Sequence, residues 1–106
     1  MGKVMMLGER PLTPRRALAR IRKLWDEGAV RWAEHAMQRS LERGLDMQDV
    51  QHVIRYGQVV AWSRPRTWWR HEIEGKAVEG RWARVIVEIN GKLVIVSVMW
   101  ASPRRR

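Results

Sequence analysis

Three side chains that could act on a phosphodiester are spaced four residues apart. His35, Arg39 and Arg43 stand at positions i, i+4 and i+8 of a segment with a helical pattern of apolar residues. At 3.6 residues per turn they form one stripe, which drifts toward the border between the helix and a sheet. Histidine can carry a proton near neutral pH, and arginine can bind a phosphate through two hydrogen bonds. We interpret the three residues as the candidate catalytic set.

Each member of this set also has a structural interpretation, which the sequence leaves open. His35 lies in the first turn of its helix and could serve only local backbone groups. Arg39 could pair with Glu34 or Glu42 as a solvated surface charge. Arg43 stands in the last turn, where a cation complements the helix C-terminus.

A second group of candidates lies on predicted strands and could contact RNA. Arg70 and His71 are adjacent, so their side chains point to opposite faces. His71 is either a second proton carrier or a surface histidine, and His52 is interpreted as a surface residue. Two neighbouring tryptophans follow a basic turn, and one of them must face away from the core, where it could stack on a base. The candidate RNA-binding residues are Arg70, His71, Arg84, Ser97, Trp68 and Trp69.

The composition favours a nucleic-acid ligand. The 106 residues carry a net charge of +10, and 17 of the 21 basic residues are arginine, accompanied by seven tryptophans. Guanidinium groups and flat rings suit phosphates and unpaired bases. The alternative is that a GC-rich genome replaces lysine with arginine and that the tryptophans are core residues.

The composition also excludes several classes of site. Without cysteine there is no disulfide scaffold, thiol nucleophile or zinc–thiolate site, and the three histidines lack metal-ligand spacing. We therefore expect neither a metal nor another cofactor. No apolar run approaches the ~20 residues of a membrane span, so we expect a cytoplasmic protein.

The pattern along the chain predicts one domain in four parts. An N-terminal arm (1–12) precedes a helical part (13–57), an antiparallel sheet (58–100) and a basic tail (101–106). Thr13 and Asp46 are predicted helix N-caps. The middle helix, from about Ala33 to Arg43, should bury Ala33, Ala36, Met37 and Leu41. The predicted fold class is α+β, with two to three N-terminal helices packed on one face of a four-stranded antiparallel sheet.

The last two strands are predicted to form a hairpin. Asn90-Gly91 is a strong signal for a two-residue turn, which would pair Ile89 with Lys92. Counting outward from that turn places Arg84 directly opposite Ser97. Arg84 is therefore the strongest sheet-borne candidate for a phosphate contact.

The stretch His35-Ala36-Met37-Gln38-Arg39-Ser40-Leu41-Glu42-Arg43-Gly44-Leu45 reads H-A-x-x-R-x-x-x-R-G-aliphatic. Together with Asp49-Val50, Val53-Ile54, Trp69-Arg70, Glu79-Gly80-Arg81 and the last two strands, it resembles the bacterial and archaeal family called domain of unknown function 4258. The resemblance covers about Ile21 to Trp100. Ser97 stands where that family commonly has threonine, and His71 stands near a position where it often has an aromatic hydroxyl.

The resemblance implies a RelE-like fold, shared by the barnase, EndoU, colicin and RelE ribonucleases, and many relatives are toxins of toxin–antitoxin pairs. The function hypothesis is then a metal-independent endoribonuclease toxin that leaves 2′,3′-cyclic phosphate ends, with His35, Arg39 and Arg43 at its centre. Its expected partners are RNA or the ribosome and an acidic antitoxin protein. The alternative is a non-catalytic RNA- or ribosome-binding domain that depends on arginine and tryptophan but not on histidine. A third hypothesis is a structural domain whose charge reflects only genome composition, and the sequence does not determine the oligomeric state.

Overall fold

Three helices and five strands make up the part of the chain that the structure, a computed structural model, describes, residues 11–102. In chain order they are α1 (Pro14–Asp26), β1 (Val30–Trp32), α2 (Glu34–Arg43), α3 (Met47–Tyr56), β2 (Gln58–Ser63), β3 (Arg70–Lys76), β4 (Trp82–Ile89) and β5 (Leu93–Trp100). The strands form one sheet in the order β1-β5-β4-β3-β2. The predicted α+β class is confirmed. The predicted N-terminal arm and basic tail fall mostly outside the described residues.

The prediction of four antiparallel strands is wrong, because the sheet has five strands and is mixed. The additional strand, β1, runs parallel to β5 and pairs Val30 with Leu93 and Trp32 with Ile95. The other pairings, β2 with β3, β3 with β4 and β4 with β5, are antiparallel. A strand of three residues is too short to show an alternating pattern, and its partner lies more than sixty residues away in the chain.

The predicted helix starts are confirmed. Thr13 Oγ1 accepts a hydrogen bond from the Arg16 backbone N–H at 3.3 Å, and Pro14 occupies the first turn of α1. At the start of α3, Asp46 and Asp49 each accept from the other's backbone N–H. Such reciprocal capping satisfies two N–H groups that have no partner within the helix.

One face of the sheet forms the core with residues from all three helices. Ala83, Val85 and Val87 alternate along β4 and are fully buried. They belong to one cluster with Ile21 of α1 and Val53 of α3. Each fully buried valine or isoleucine contributes about 1.5–3 kcal/mol relative to an exposed one. No helix within residues 11–102 is long and apolar enough to cross a membrane.

The C-terminal end of α3 lies against the backbone of β3. A Cβ atom on Gly57 would lie 2.5 Å from the Val53 carbonyl oxygen and 2.6 Å from that of Glu74. Arg22 of α1 donates to the carbonyls of Ile54 and Gly57 at 2.9 and 3.2 Å. This contact between the two backbones fixes α3 over β3 and so sets the position of the helical layer.

The predicted register of the last hairpin is wrong. Ile89 pairs with Leu93, so the loop has three residues, and Gly91 adopts a φ of +91° that favours glycine. A bulge then shifts the register between Ile86 and Val87. Arg84 consequently lies opposite Met99, and Ser97 lies opposite Ile86.

The predicted buried face of α2 is wrong in part. Ala36 is fully buried and Ala33 packs against the core, but Met37 is 54% exposed and Leu41 is 85% exposed. The helix packs mainly on β5, a strand near the β1 edge of the sheet. Such a helix buries one narrow line of residues, and the apolar side chains outside that line face solvent.

His71 is buried, so its interpretation as a surface histidine is wrong. It is 2% exposed and lies on β3 between Trp62 of β2 and Val87 of β4. Neither ring nitrogen has a hydrogen-bond partner among the described residues. Burial lowers the pKa of His71 below its usual value of 6.5, because the charged ring would lose its hydration.

Protonation of His71 should therefore destabilise the fold in acid. As the pH falls below 6.5, the unfolded chain gains a proton that the folded state binds only at lower pH, so the free energy of unfolding decreases through that window. We expect His71→Leu to flatten the decrease and to raise the melting temperature at the acid end. Denaturant unfolding at a series of pH values measures both. His52→Asn is the control and should keep the wild-type slope; an unchanged slope in His71→Leu would contradict this assignment.

Candidate active site

The helix α2 lies where the edge of β5 has no neighbouring strand. The β1 strand ends opposite Ile95, whose carbonyl accepts from the Ala33 backbone N–H at 3.0 Å. Beyond that point Arg43 Nη1 donates to the Val98 carbonyl at 2.7 Å. In return, Trp100 Nε1 donates to the Arg43 carbonyl at 2.7 Å. These bonds connect the C-terminal end of α2 to the end of β5.

The three predicted catalytic residues lie together in one open depression between α2 and β5. The stripe on α2 provides one wall, and side chains near the end of β5 provide the other. The lining residues are His35, Arg39, Arg43, Ser97, Met99 and Trp100. The three side chains thus lie at the border between helix and sheet, as predicted. Among the candidates on strands, Ser97 lines the same depression.

His35 is exposed at this depression and interacts with its neighbour one turn along. Arg39 Nε donates to His35 Nε2 over 3.4 Å, a long hydrogen bond. A guanidinium can only donate, so His35 Nε2 is the acceptor of this hydrogen bond. An exposed nitrogen with a lone pair can remove a proton from a bound hydroxyl group.

Arg39 and Arg43 also have the contacts expected from the structural interpretation. Arg39 Nη1 forms a salt bridge with Glu42 Oε1 at 3.1 Å, and both side chains are substantially exposed. Arg43 is exposed as a residue, but its Nη1 holds the Val98 carbonyl. A guanidinium has five N–H donors, so these contacts do not prevent a phosphate contact. The two interpretations therefore coexist in one arrangement.

Arg70 and Arg84 lie on the face of the sheet away from the core and are paired with carboxylates there. Arg70 Nε contacts Glu88 at 2.6 Å, and Arg84 lies 2.8 Å from Glu74 and 3.7 Å from Glu72. A phosphate would have to compete with these carboxylates. Neither arginine lies in the depression with His35. His71 is absent from it as well, because that side chain is buried.

Trp68 and Trp69 lie in the loop between β2 and β3, at the opposite end of the sheet from Trp100. Trp68 is 40% exposed, and the Arg64 guanidinium lies 5.2 Å from the centre of the Trp69 ring. They form a basic and aromatic surface of their own, apart from His35. Their role in base stacking stays a prediction.

Sequence reasoning missed Trp100 and Arg81 as site residues. The Arg81 guanidinium stacks 4.2 Å from the centre of the Trp100 ring, which lines the depression beside Arg43. The available signal was the position of Trp100 at the last residue of a predicted strand, where a sheet meets its loops. Its partner α2 could not be identified from that position.

The comparisons with known proteins identify a family but no activity. The family model described as Domain of unknown function (DUF4258) matches residues 32–100. No curated protein and no solved structure matches the chain. Within residues 11–102 no three His, Asp or Glu side chains come together as potential metal ligands.

The contacts of the two arginines predict different effects on stability. Arg43→Ala leaves the Val98 carbonyl without its charged donor and should lower the free energy of unfolding by about 1.5–3 kcal/mol. Arg39→Ala removes a surface ion pair and a long, exposed hydrogen bond to His35, and it should cost at most about 1 kcal/mol. Urea denaturation of both variants measures the difference. Equal stability of the two variants would show that Arg43 does not hold α2 to β5.

Proposed function

The chain belongs to the family of Domain of unknown function (DUF4258), and we propose that this member is a metal-independent endoribonuclease with a RelE-like fold. The observation that carries the proposal is the single depression that unites His35 with Arg39 and Arg43. The antiparallel meander of β2 to β5, which follows the three helices, supports the relationship to RelE-like ribonucleases. The large excess of arginine supports a polyanionic substrate.

The proposed reaction uses the ribose 2′-oxygen as its nucleophile. A scissile phosphate enters between Arg39 and Arg43, and its charge draws the Arg39 guanidinium away from His35. The released Nε2 takes the 2′-hydroxyl proton as the 2′-oxygen attacks phosphorus. The bond to the 5′-oxygen breaks, and the imidazolium returns the proton to that oxygen directly or through water. The products are a 2′,3′-cyclic phosphate and a 5′-hydroxyl.

The two arginines supply most of the electrostatic stabilisation in this mechanism. The phosphate gains negative charge in the transition state, and guanidinium donors fixed beside it stabilise that charge. Arg43 is fixed by its bond to the Val98 carbonyl, whereas Arg39 has only a surface ion pair with Glu42 and a long hydrogen bond to His35, both of which a substrate can replace. Arg43 therefore sets the position of the phosphate, and Arg39 completes the clamp when the substrate binds.

A second candidate function is RNA binding without catalysis. It is favoured by one observation: His35 is the only histidine among the residues that line the depression. One group would then have to serve both proton transfers. In a binding domain, the arginines and Trp100 would determine affinity, and His35 would contribute little.

A toxin role and an acidic antitoxin partner stay predictions. The surface of α2 is compatible with a protein partner, because Met37 and Leu41 expose apolar side chains on the helix that bears Arg39. An acidic protein that covered this surface would also block the depression. Charge complementarity would favour its association with so basic a chain.

The cleavage test compares wild type with His35→Ala on single-stranded RNA in the presence of a chelator. We expect His35→Ala to reduce the rate by at least about 100-fold, since a positioned general base contributes that much. Its RNA affinity should stay close to wild type, whereas Arg39→Ala should weaken both binding and cleavage. End analysis of the products should show 2′,3′-cyclic phosphates, and a 2′-deoxy substitution at the cleaved position should block the reaction.

The matched control for this test is His52→Asn. His52 lies on α3, where its Nδ1 contacts the Lys76 carbonyl at 2.6 Å, and the asparagine amide can replace that donor. Its cleavage rate should equal that of wild type. Equal cleavage by wild type and His35→Ala would contradict the assignment of His35, and tight binding without cleavage by wild type would favour the second candidate.

A further inference from the structure

Two tryptophans at one end of the sheet each lie beside a cation. The Arg81 guanidinium lies 4.2 Å from the centre of the Trp100 ring, and the Lys76 ammonium lies 5.7 Å from that of Trp82. The Ala101 backbone N–H donates to the Trp82 carbonyl at 3.0 Å, which holds the ends of β4 and β5 together. One open depression at this end is lined by Arg81, Trp82, Trp100, Ala101 and Ser102.

This depression continues into the candidate active site. Trp100 lines both of them, and its indole nitrogen binds the carbonyl of Arg43. A chain of nucleotides with one phosphate between Arg39 and Arg43 would meet Trp100 and Arg81 next. An extended polyanion at the candidate active site would therefore reach Trp82 by passing Trp100 at the end of the sheet.

The side chains on this path suit unpaired bases. Every base has a flat face that can stack on an aromatic ring or on a guanidinium plane, but in a duplex those faces are covered by neighbouring bases. Among the residues that the structure describes, neither Arg81 nor Lys76 forms a salt bridge, in contrast to Arg70 and Arg84. Their charges are thus available to phosphates.

The neighbouring depression at the start of α3 does not share this chemistry. Its lining includes Asp46, Asp49 and Glu79 as well as Arg81 and Trp100. Three carboxylates would repel a phosphate backbone. The path of a nucleic acid should therefore turn at Trp100 toward Trp82 rather than toward α3.

We propose that Lys76, Arg81, Trp82 and Trp100 form a subsite for unpaired nucleotides that flank the phosphate at His35, so that the substrate is single-stranded RNA. The inference rests on the proposed function for the place of the scissile phosphate. Binding at the subsite does not require catalysis. We call Lys76, Arg81, Trp82 and Trp100 the sheet-end subsite.

The test measures binding of a fluorescent single-stranded oligonucleotide with 2′-deoxy sugars, which cannot undergo attack by a 2′-oxygen. Arg81→Ala and Trp82→Ala change the sheet-end subsite. Arg64→Ala and Trp62→Ala are matched controls at the other end of the sheet, where Trp62 is 46% exposed and Arg64 lies over Trp69 as Arg81 lies over Trp100. Thermal melting shows whether each variant is folded. If Trp82→Ala does not fold, Trp82→Phe is measured in its place, because it keeps an aromatic ring at this position.

We expect Arg81→Ala and Trp82→Ala each to raise the dissociation constant by at least about 5-fold, because stacking on one base contributes that much. The two control variants should change it far less, and a duplex of the same sequence should bind more weakly than the single strand. Equal losses in both pairs would overturn the inference in favour of general charge attraction. A larger loss in the control pair would overturn it in favour of the β2–β3 loop.

The inference and the proposed function can fail separately. If wild type never cleaves RNA but Arg81→Ala and Trp82→Ala weaken binding, the ribonuclease proposal fails and the subsite is supported. If cleavage depends on His35 but oligonucleotide binding and the cleavage KM are unchanged in both subsite variants, the subsite is overturned and the ribonuclease stands.

Discussion

The outer edge of β5 imposes the constraint on which the candidate site depends. Backbone groups at a sheet edge need partners, and β1 supplies them only as far as Ile95. Beyond that residue α2 takes the place of a strand, and the Arg43 guanidinium rather than a backbone amide binds the Val98 carbonyl. The indole of Trp100 binds the end of the same helix. Because the helix must lie along this edge, its stripe of His35, Arg39 and Arg43 faces the end of β5.

Carboxylate partners for the basic residues are distributed unevenly between the open face of the sheet and its end. On the face away from the core, arginines on β3 and β4 are matched by glutamates on the same strands, so that face is close to neutral. The cations without such carboxylate partners include Arg81 and Lys76, which lie beside tryptophans at the end of the sheet. A polyanion would therefore be attracted to the edge and the end of the sheet rather than to its open face. That separation is the physical basis for placing both the reaction and its substrate around α2 and Trp100.

The features that depend on local sequence could be predicted, and those that depend on distant pairing could not. Asp46 and Asp49 identify the start of α3 because a capping pair lies within four residues, and the spacing of His35 and Arg39 is a property of one helix. The parallel pairing of β1 with β5 joins segments far apart in the chain, and no local pattern encodes it. The three-residue loop and the bulge of the last hairpin together moved Arg84 away from Ser97, because each extra residue changes every later pair. The shift in register does not change which face of β4 is buried, because Ala83, Val85 and Val87 alternate along the strand itself.

The central claim is that RNA binds where α2 meets the end of β5. The most direct measurement is the ¹H–¹⁵N spectrum of the arginine Nε and tryptophan Nε1 groups during titration with a single-stranded 2′-deoxy oligonucleotide. We expect the signals of Arg39, Arg43 and Trp100 to shift together at one affinity, while that of Arg84 stays in place. Shifts confined to Trp68 and Trp69, or no shift at Arg39 and Arg43 at saturation, would contradict it.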